Sequence, residues 1–194
     1  MMAAARVFRS VALAGLFSVA PAAAYCSQSP SVSLSDQKLL SDFSKKAKDY
    51  ASKESMLTQS KMKPTADVAK LQQQRQQLRD AMQQSRANAR RGDLFTDETG
   101  EVFRKIFVNL LNGPDGKKIK ISLSHAEPAA PAEFKVNGEF PNKNGQPIQS
   151  VPPTVLKVLP ALPKGLEYCL AGKTLALRDA AANMVIDYLP NALP

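Results

Sequence analysis

The chain has 194 residues, with 26 lysines and arginines against 17 aspartates and glutamates, a net charge of +9, and 44% hydrophobic residues. That is enough apolar side chain for one domain with its own core, and the cationic excess favours contact with anionic surfaces without naming one. One histidine, two cysteines and scattered carboxylates leave no recognisable metal-ligand set, and the absence of tryptophan argues against an RNA-binding aromatic sheet.

The first residues read as an export signal. Arg6 and Arg9 form a positive start, Val11 to Ala20 an apolar stretch, and Ala22-Ala23-Ala24 a small-residue cleavage site. The apolar run is about ten residues, short of the roughly twenty needed to span a bilayer. Residues 1–24 are therefore expected to be a signal peptide, and the protein periplasmic or secreted. Cleavage after Ala24 leaves 194 − 24 = 170 residues and lowers the charge from +9 to +7 by removing Arg6 and Arg9. A mitochondrial transit peptide is the competing reading, because the first acidic residue is Asp36 and serines recur at 27, 29, 31, 33 and 35. The uniformly apolar stretch is not amphipathic, which favours export. Lipid anchoring at Cys26 is disfavoured by the bulky Tyr25 before it. Cys26 and Cys169 either pair across a long loop, worth about 4 to 5 kcal/mol in the chain-entropy model, or stay unpaired with Cys169 buried in a strand.

Residues 25–63 read as a polar, basic, flexible arm containing a weak helix. Ser33 and Asp36 give a capping signal, and Leu39, Leu40, Phe43, Ala47 and Tyr50 recur at helical spacing. Lys38, Lys45, Lys46, Lys48 and Lys53 make this helix basic, either a surface-associating face or a merely solvated one. A single domain is expected over 64–194, opening with a long Gln/Arg-rich helix over 65–91 that starts after Pro64 and stops at Gly92. Its apolar stripe is Val68, Leu71, Leu78 and Met82, with Arg75 in the same frame. So narrow a stripe suits one edge of contact, on its own domain or on another chain.

A second helix is expected over 97–112, where Thr96 caps, Asp97 and Glu98 suit the positive end, and Val102, Phe103, Ile106, Phe107 and Leu110 form a broad apolar face. Beyond Gly116 the apolar period changes to two. Strands are expected at about 118–124, 133–140, 166–171, 174–178 and 184–189, with a short helical segment after Pro152-Pro153. Gly172-Lys173 suits a type II′ turn, and the last three strands form a meander. Arg178, Asp179 and Asp187 read as edge and turn residues. As a catalytic carboxylate pair, Asp179 and Asp187 lack a nucleophile or phosphate-cradling loop beside them, and His125 sits in a Pro/Ala loop running to Ala132. The expected fold is α+β: N-terminal helices, then a small, mostly antiparallel sheet of about five strands on the one amphipathic helix around Phe103 and Phe107.

"PPTVLKVLPALPKGLEYCLAGKTLALRDAAANMVIDYLP" at 152–190, together with "ARRGDLFTDETGEVFRKIF" at 89–107, resembles a group of small exported bacterial proteins of uncharacterised function. The two stretches make up about a third of the chain. The shared pattern is LEY, a glycine four residues on, L-x-L-x-D, then an asparagine and an aspartate four apart; an arginine is usual in it where Cys169 stands. The resemblance implies an envelope-facing, non-catalytic module and assigns no catalytic residue. The expected function is accordingly a binding or scaffolding module of the cell envelope, with no cofactor or metal. Its contacts would be a protein partner along Val68, Leu71, Arg75, Leu78 and Met82, or an anionic envelope surface met by Lys45, Lys46 and Lys48. No nucleic-acid partner and no transmembrane span are expected. The alternatives are a periplasmic hydrolase with an unrecognised site and a mitochondrial accessory subunit.

Overall fold

A computed structural model describes residues 33–125, 133–141 and 151–194. The expected signal peptide, Cys26, and hence the pairing of the two cysteines, lie outside the described residues, as does the loop after His125. Among the described residues five helices precede a three-stranded antiparallel sheet: α1 (Leu34–Lys61), α2 (Val68–Ser85), α3 (Asp97–Asn112), α4 (Gly116–His125), α5 (Pro153–Leu156), β1 (Leu166–Ala171), β2 (Thr174–Asp179) and β3 (Met184–Leu189). This is an α+β fold with N-terminal helices. Among the described residues no helix is long and apolar enough to cross a membrane.

Within the described part of the expected arm, the weak helix is α1, which at 28 residues is the longest helix among the described residues and is not loose from the domain. Ser33 caps it by accepting from the Asp36 N–H at 3.0 Å. Phe43, Ala47, Tyr50 and Glu54 recur every three or four residues and are all buried. The stripe is narrow and hedged by lysines, so its composition reads as solvated while its geometry builds one wall of the core. The Phe43 ring centroid lies 5.2 Å from Phe95, 5.1 Å from Phe103 and 6.4 Å from Tyr168 on β1. The sheet therefore rests on α1 as well as on α3.

Helix α2 is shorter than the 65–91 read from composition. Asp67 caps it, accepting from the Ala69 and Lys70 N–H groups at 2.9 and 3.2 Å, and it stops at Ser85. The arginine-rich remainder forms turns leading into Leu94 and Phe95. Helix α3 matches its expected span, with Thr96 accepting from Thr99 N–H at 3.2 Å.

Two of the five expected strands are absent. The stretch read as a strand over 118–124 is helix α4. Ile119 and Leu123 satisfy either period, being four apart; in the helix Ile119 is buried, Leu123 packs against the core, and Ile121 turns outward at 56% exposure. The turn from α3 is tight enough that a Cβ on Gly116 would meet the Leu111 carbonyl oxygen at 2.1 Å, so only glycine fits there.

The other missing strand, over 133–140, is a turn centred on Asn137 that makes one bridge, Glu139 with Met184, to the edge of β3. Asn137 N–H donates to Val185 C=O at 2.9 Å, and Phe140 N–H to Asn183 C=O at 2.8 Å. Phe134 and Phe140 thereby cover the sheet's outer side, over Cys169, Ala171, Ala176 and Val185. The sheet is consequently buried on both faces over much of its area, where a wet outer face was expected.

The meander pairs as the alternation predicts, Tyr168 with Leu177 and Cys169 with Ala176, around a turn whose positive φ of 57° falls on Gly172. Between β2 and β3 the register slips, with Leu177 opposite Asp187 but Arg178 opposite Val185. Ile186 is the extra residue of this bulge. Strict alternation would put Ile186 and Asp187 on opposite faces, but the bulge lets both face the main core.

Candidate functional site

The two aspartates of the meander are not wetted edge residues; both are fully buried. Asp187 accepts four backbone N–H groups: Gly92 at 3.0 Å and Tyr188 at 2.8 Å on Oδ1, Leu94 at 2.8 Å and Phe95 at 2.9 Å on Oδ2. The loop between α2 and α3 thus curls around the carboxylate and satisfies its lone pairs. The loop's conformation and the buried anion depend on each other.

Asp179 has a different set. Tyr50 O–H donates to Oδ2 at 2.7 Å and Ala182 N–H to Oδ1 at 2.9 Å. Burial pushes the Asp179 carboxyl above its ordinary range, against the pull of those hydrogen bonds. Burial, followed by the charge of Asp179, raises Tyr50 as well, which keeps its phenol a donor. Glu54, one turn further along α1, is also raised, first by burial, and accepts from Thr58 Oγ1.

Arg86 joins these groups. Its guanidinium lies 5.0 Å above the Tyr50 ring, donates from Nη1 to Asn137 Oδ1 at 2.9 Å, and donates from Nη2 to Ile186 C=O at 3.2 Å. Burial pulls it below its ordinary value, while Tyr50, Asp93, Asp187 and Asp179 act the other way. The result is a buried ionic network in which Asp179 and Asp187 hold separate hydrogen-bond partners and share Arg86 as countercharge. Chemically it is a latch between α1, the Arg86–Phe95 loop and the sheet. No local pattern signals it, because the partners lie 129 residues apart for Tyr50 with Asp179 and 92 to 95 apart for Asp187 with its loop.

The pH dependence follows from these shifts. Asp179 and Glu54 bind a proton more tightly folded than unfolded, so the stability they contribute is fully present below the ordinary carboxylate range, about pH 4, and is lost as pH rises through their raised folded values. In Asp179→Asn the side-chain oxygen still accepts from Ala182 N–H, and the Tyr50 hydroxyl accepts from the new amide. The variant should stay within about 1 kcal/mol of the native protein at neutral pH and gain on it steadily as pH is raised from 4 to 7. Urea unfolding of both proteins across that range checks this; a variant that loses ground with rising pH contradicts it.

The residues expected to form an interaction surface are divided by the fold. Leu78 and Met82 are fully buried in the core, so they are withdrawn from any external contact. Val68 is 70% exposed at the start of α2, with Leu71 and Arg75 half-buried behind it. Arg79, outside the expected stripe, is buried and meets Glu139 at 2.9 Å; its Nη1 is not aligned for a hydrogen bond, so the contact is a charge pairing. Lys45, Lys46 and Lys48 are all exposed on α1, and Lys46 Nζ donates to the Asp93 carbonyl at 2.7 Å.

Two concavities are open at the surface. One, of about 450 Å³, lies beside β1 between Val151, Leu156, Pro160, Leu162, Tyr168 and Cys169. Burial pushes the Cys169 thiol up to about 12, which leaves it a weak nucleophile there. The other, of about 550 Å³, runs between α3 and α4 to the turn at Lys173, with Val108, Leu111, Leu123 and Leu193 as apolar lining and Lys120 and Lys173 at its sides. Among the described residues no group of three or more His, Cys, Asp or Glu side chains is placed to hold a metal ion. Compared with protein-family models, with curated proteins and with solved structures, the chain matches none.

Proposed function

We propose that this protein is an exported, non-catalytic module of the cell envelope that binds an anionic surface. The observation that carries the reading is the placement of charge: Lys45, Lys46, Lys48, Lys117, Lys118, Lys120, Lys157, Lys164 and Lys173 are all exposed, whereas Asp179 and Asp187 are withdrawn into the interior. The two buried aspartates are offset by the buried Arg79 and the half-buried Arg86, so the surface keeps the chain's basic excess, which is +7 without residues 1–24. The export signal read in residues 1–24 and the resemblance of the C-terminal pattern to exported bacterial proteins supply the compartment.

A second reading rests on the start of α2, where Val68 is 70% exposed beside the half-buried Leu71. That end of the helix suits a protein partner, and Leu78 and Met82 contribute only by anchoring it.

Binding of the protein without residues 1–24 to vesicles containing phosphatidylglycerol tests the first reading. Surface lysines contribute about 1 kcal/mol each within a Debye length of about 8 to 10 Å. Affinity should therefore fall at least tenfold between 0.05 and 0.3 M salt. An affinity indifferent to ionic strength contradicts an electrostatic role.

A further inference from the structure

We propose that the outward face of α4, with the adjoining groove, is the part of the surface that docks on an anionic bilayer; this rests on the reading just given and names its site. The first argument is charge complementarity. In its ten residues α4 carries Lys117, Lys118 and Lys120, all exposed, and no acidic residue. One acid pairs with it from outside the helix: Asp115, 3.4 Å from Lys118 Nζ. Helix α1 instead spreads six exposed lysines, Lys38, Lys45, Lys46, Lys48, Lys53 and Lys61, over 28 residues among Asp36, Asp42, Asp49 and Glu54, a net of 6 − 4 = +2. With three lysines and no acid in ten residues, against a net of +2 in 28, α4 presents the denser positive charge.

The second argument is where the apolar side chains stand. Ile119 and Leu123 bind α4 to the core, which turns Ile121 to the opposite side, 56% exposed. Lys117 and Lys118 lie four and three residues before Ile121, so they flank it on the helix surface. An apolar tip ringed by ammonium groups matches a bilayer interface, where the tip enters the acyl boundary and the lysines meet phosphate. Beside it, Val108 is 40% exposed on α3 and leads into the groove.

The groove is held open by contacts elsewhere. Ala192 N–H donates to the Lys173 carbonyl at 2.8 Å, fixing the β1–β2 turn against the end of the described chain. Arg104 donates to the carbonyls of Asn191 and Pro190, both at 3.2 Å, tying that end to α3. Lys173 and Lys120 therefore stand at its two sides on a rigid frame, and α4 acts as one facet of a folded domain rather than as a helix that forms on the membrane.

The test compares flotation of three variants of the protein without residues 1–24 on vesicles of phosphatidylglycerol and phosphatidylcholine, 1:1, at 0.1 M salt. Lys117→Gln/Lys118→Gln/Lys120→Gln removes three charges from α4; Lys38→Gln/Lys45→Gln/Lys48→Gln removes three from α1; Ile121→Ser removes the tip. Each replaces exposed side chains, and an unchanged urea midpoint confirms the fold. The α4 triple variant should lose on the order of ten- to a hundredfold in affinity, the Ile121 variant about threefold or more, and the α1 variant about threefold at most. If the two triple variants lose equally, binding follows net charge, and the α4 assignment is overturned while the broader reading stands. If the unmodified protein does not bind, both fall. If Ile121→Ser dissociates a dimer in sedimentation while leaving flotation unchanged, this face is a self-contact and the proposal is overturned.

Discussion

Asp187→Ala is expected to destabilise the fold by about 3–5 kcal/mol, the cost typical of breaking a buried, fully satisfied charged group. Four N–H groups converge on this carboxylate, three of them from the Gly92–Phe95 loop. Its removal strands buried donors at about 1–3 kcal/mol each, partly relieved as the loop relaxes. It also takes one countercharge from Arg86. Asp187→Asn should lose about 2–3 kcal/mol, since the amide offers one acceptor oxygen and turns its own donors toward the loop. The contrast with Asp179→Asn is the sharper test, because both residues are equally buried and differ in what surrounds them. Urea unfolding followed by far-ultraviolet circular dichroism gives both values; a loss below 1 kcal/mol for Asp187→Ala would mean the loop keeps its shape without the carboxylate.

Phe43→Ala should cost about 3–5 kcal/mol, the range for truncating a fully buried phenylalanine. Its ring touches one aromatic from each neighbouring part of the core: Phe95 before α3, Phe103 within it, and Tyr168 on the sheet. Deleting it opens a cavity where three elements meet and where none can close the gap alone. A residue on a mobile basic arm would cost less than 0.5 kcal/mol. The same denaturation measurement separates the two, and a small loss would return α1 to the status of an appendage.

Parts of this architecture are written locally and were legible. Helix α3 shows its cap at Thr96, acids in its first turn, apolar residues at helical spacing and a Gly113-Pro114 stop. The first hairpin of the meander shows alternation broken only at Gly172-Lys173. What escaped is whatever depends on distant partners. In α4, residues 119 and 123 fit both periods, and only tertiary packing decides that Ile121 stands outside. Phe134 and Phe140 alternate like a strand yet cap a sheet face, because Asn137, at φ 61°, bends the chain between them. The bulge at Ile186 reverses the facing of Asp187, and no residue type announces it.

The candidate surface was legible in the same uneven way. Lys45, Lys46 and Lys48 are exposed as read, while half of the α2 stripe, Leu78 and Met82, serves the interior. Lys118 and Lys120, read as the wet side of a strand, lie instead on the most basic helix face in the described chain. That reassignment follows from the change of α4 from strand to helix, which places Ile121 among lysines instead of beside Ile119 and Leu123.

Hydrogen exchange of the protein without residues 1–24, measured free and on phosphatidylglycerol vesicles, tests the central claim most directly: a rigid domain, with α1 built in, that meets an anionic surface through α4. The account predicts that amides of α1 around Phe43 to Glu54 are protected nearly to the global limit in both states, while amides of 116–124 gain protection only on the vesicles. Rapid exchange along α1 in the free protein, or vesicle-induced protection confined to α1 or α2, would contradict it.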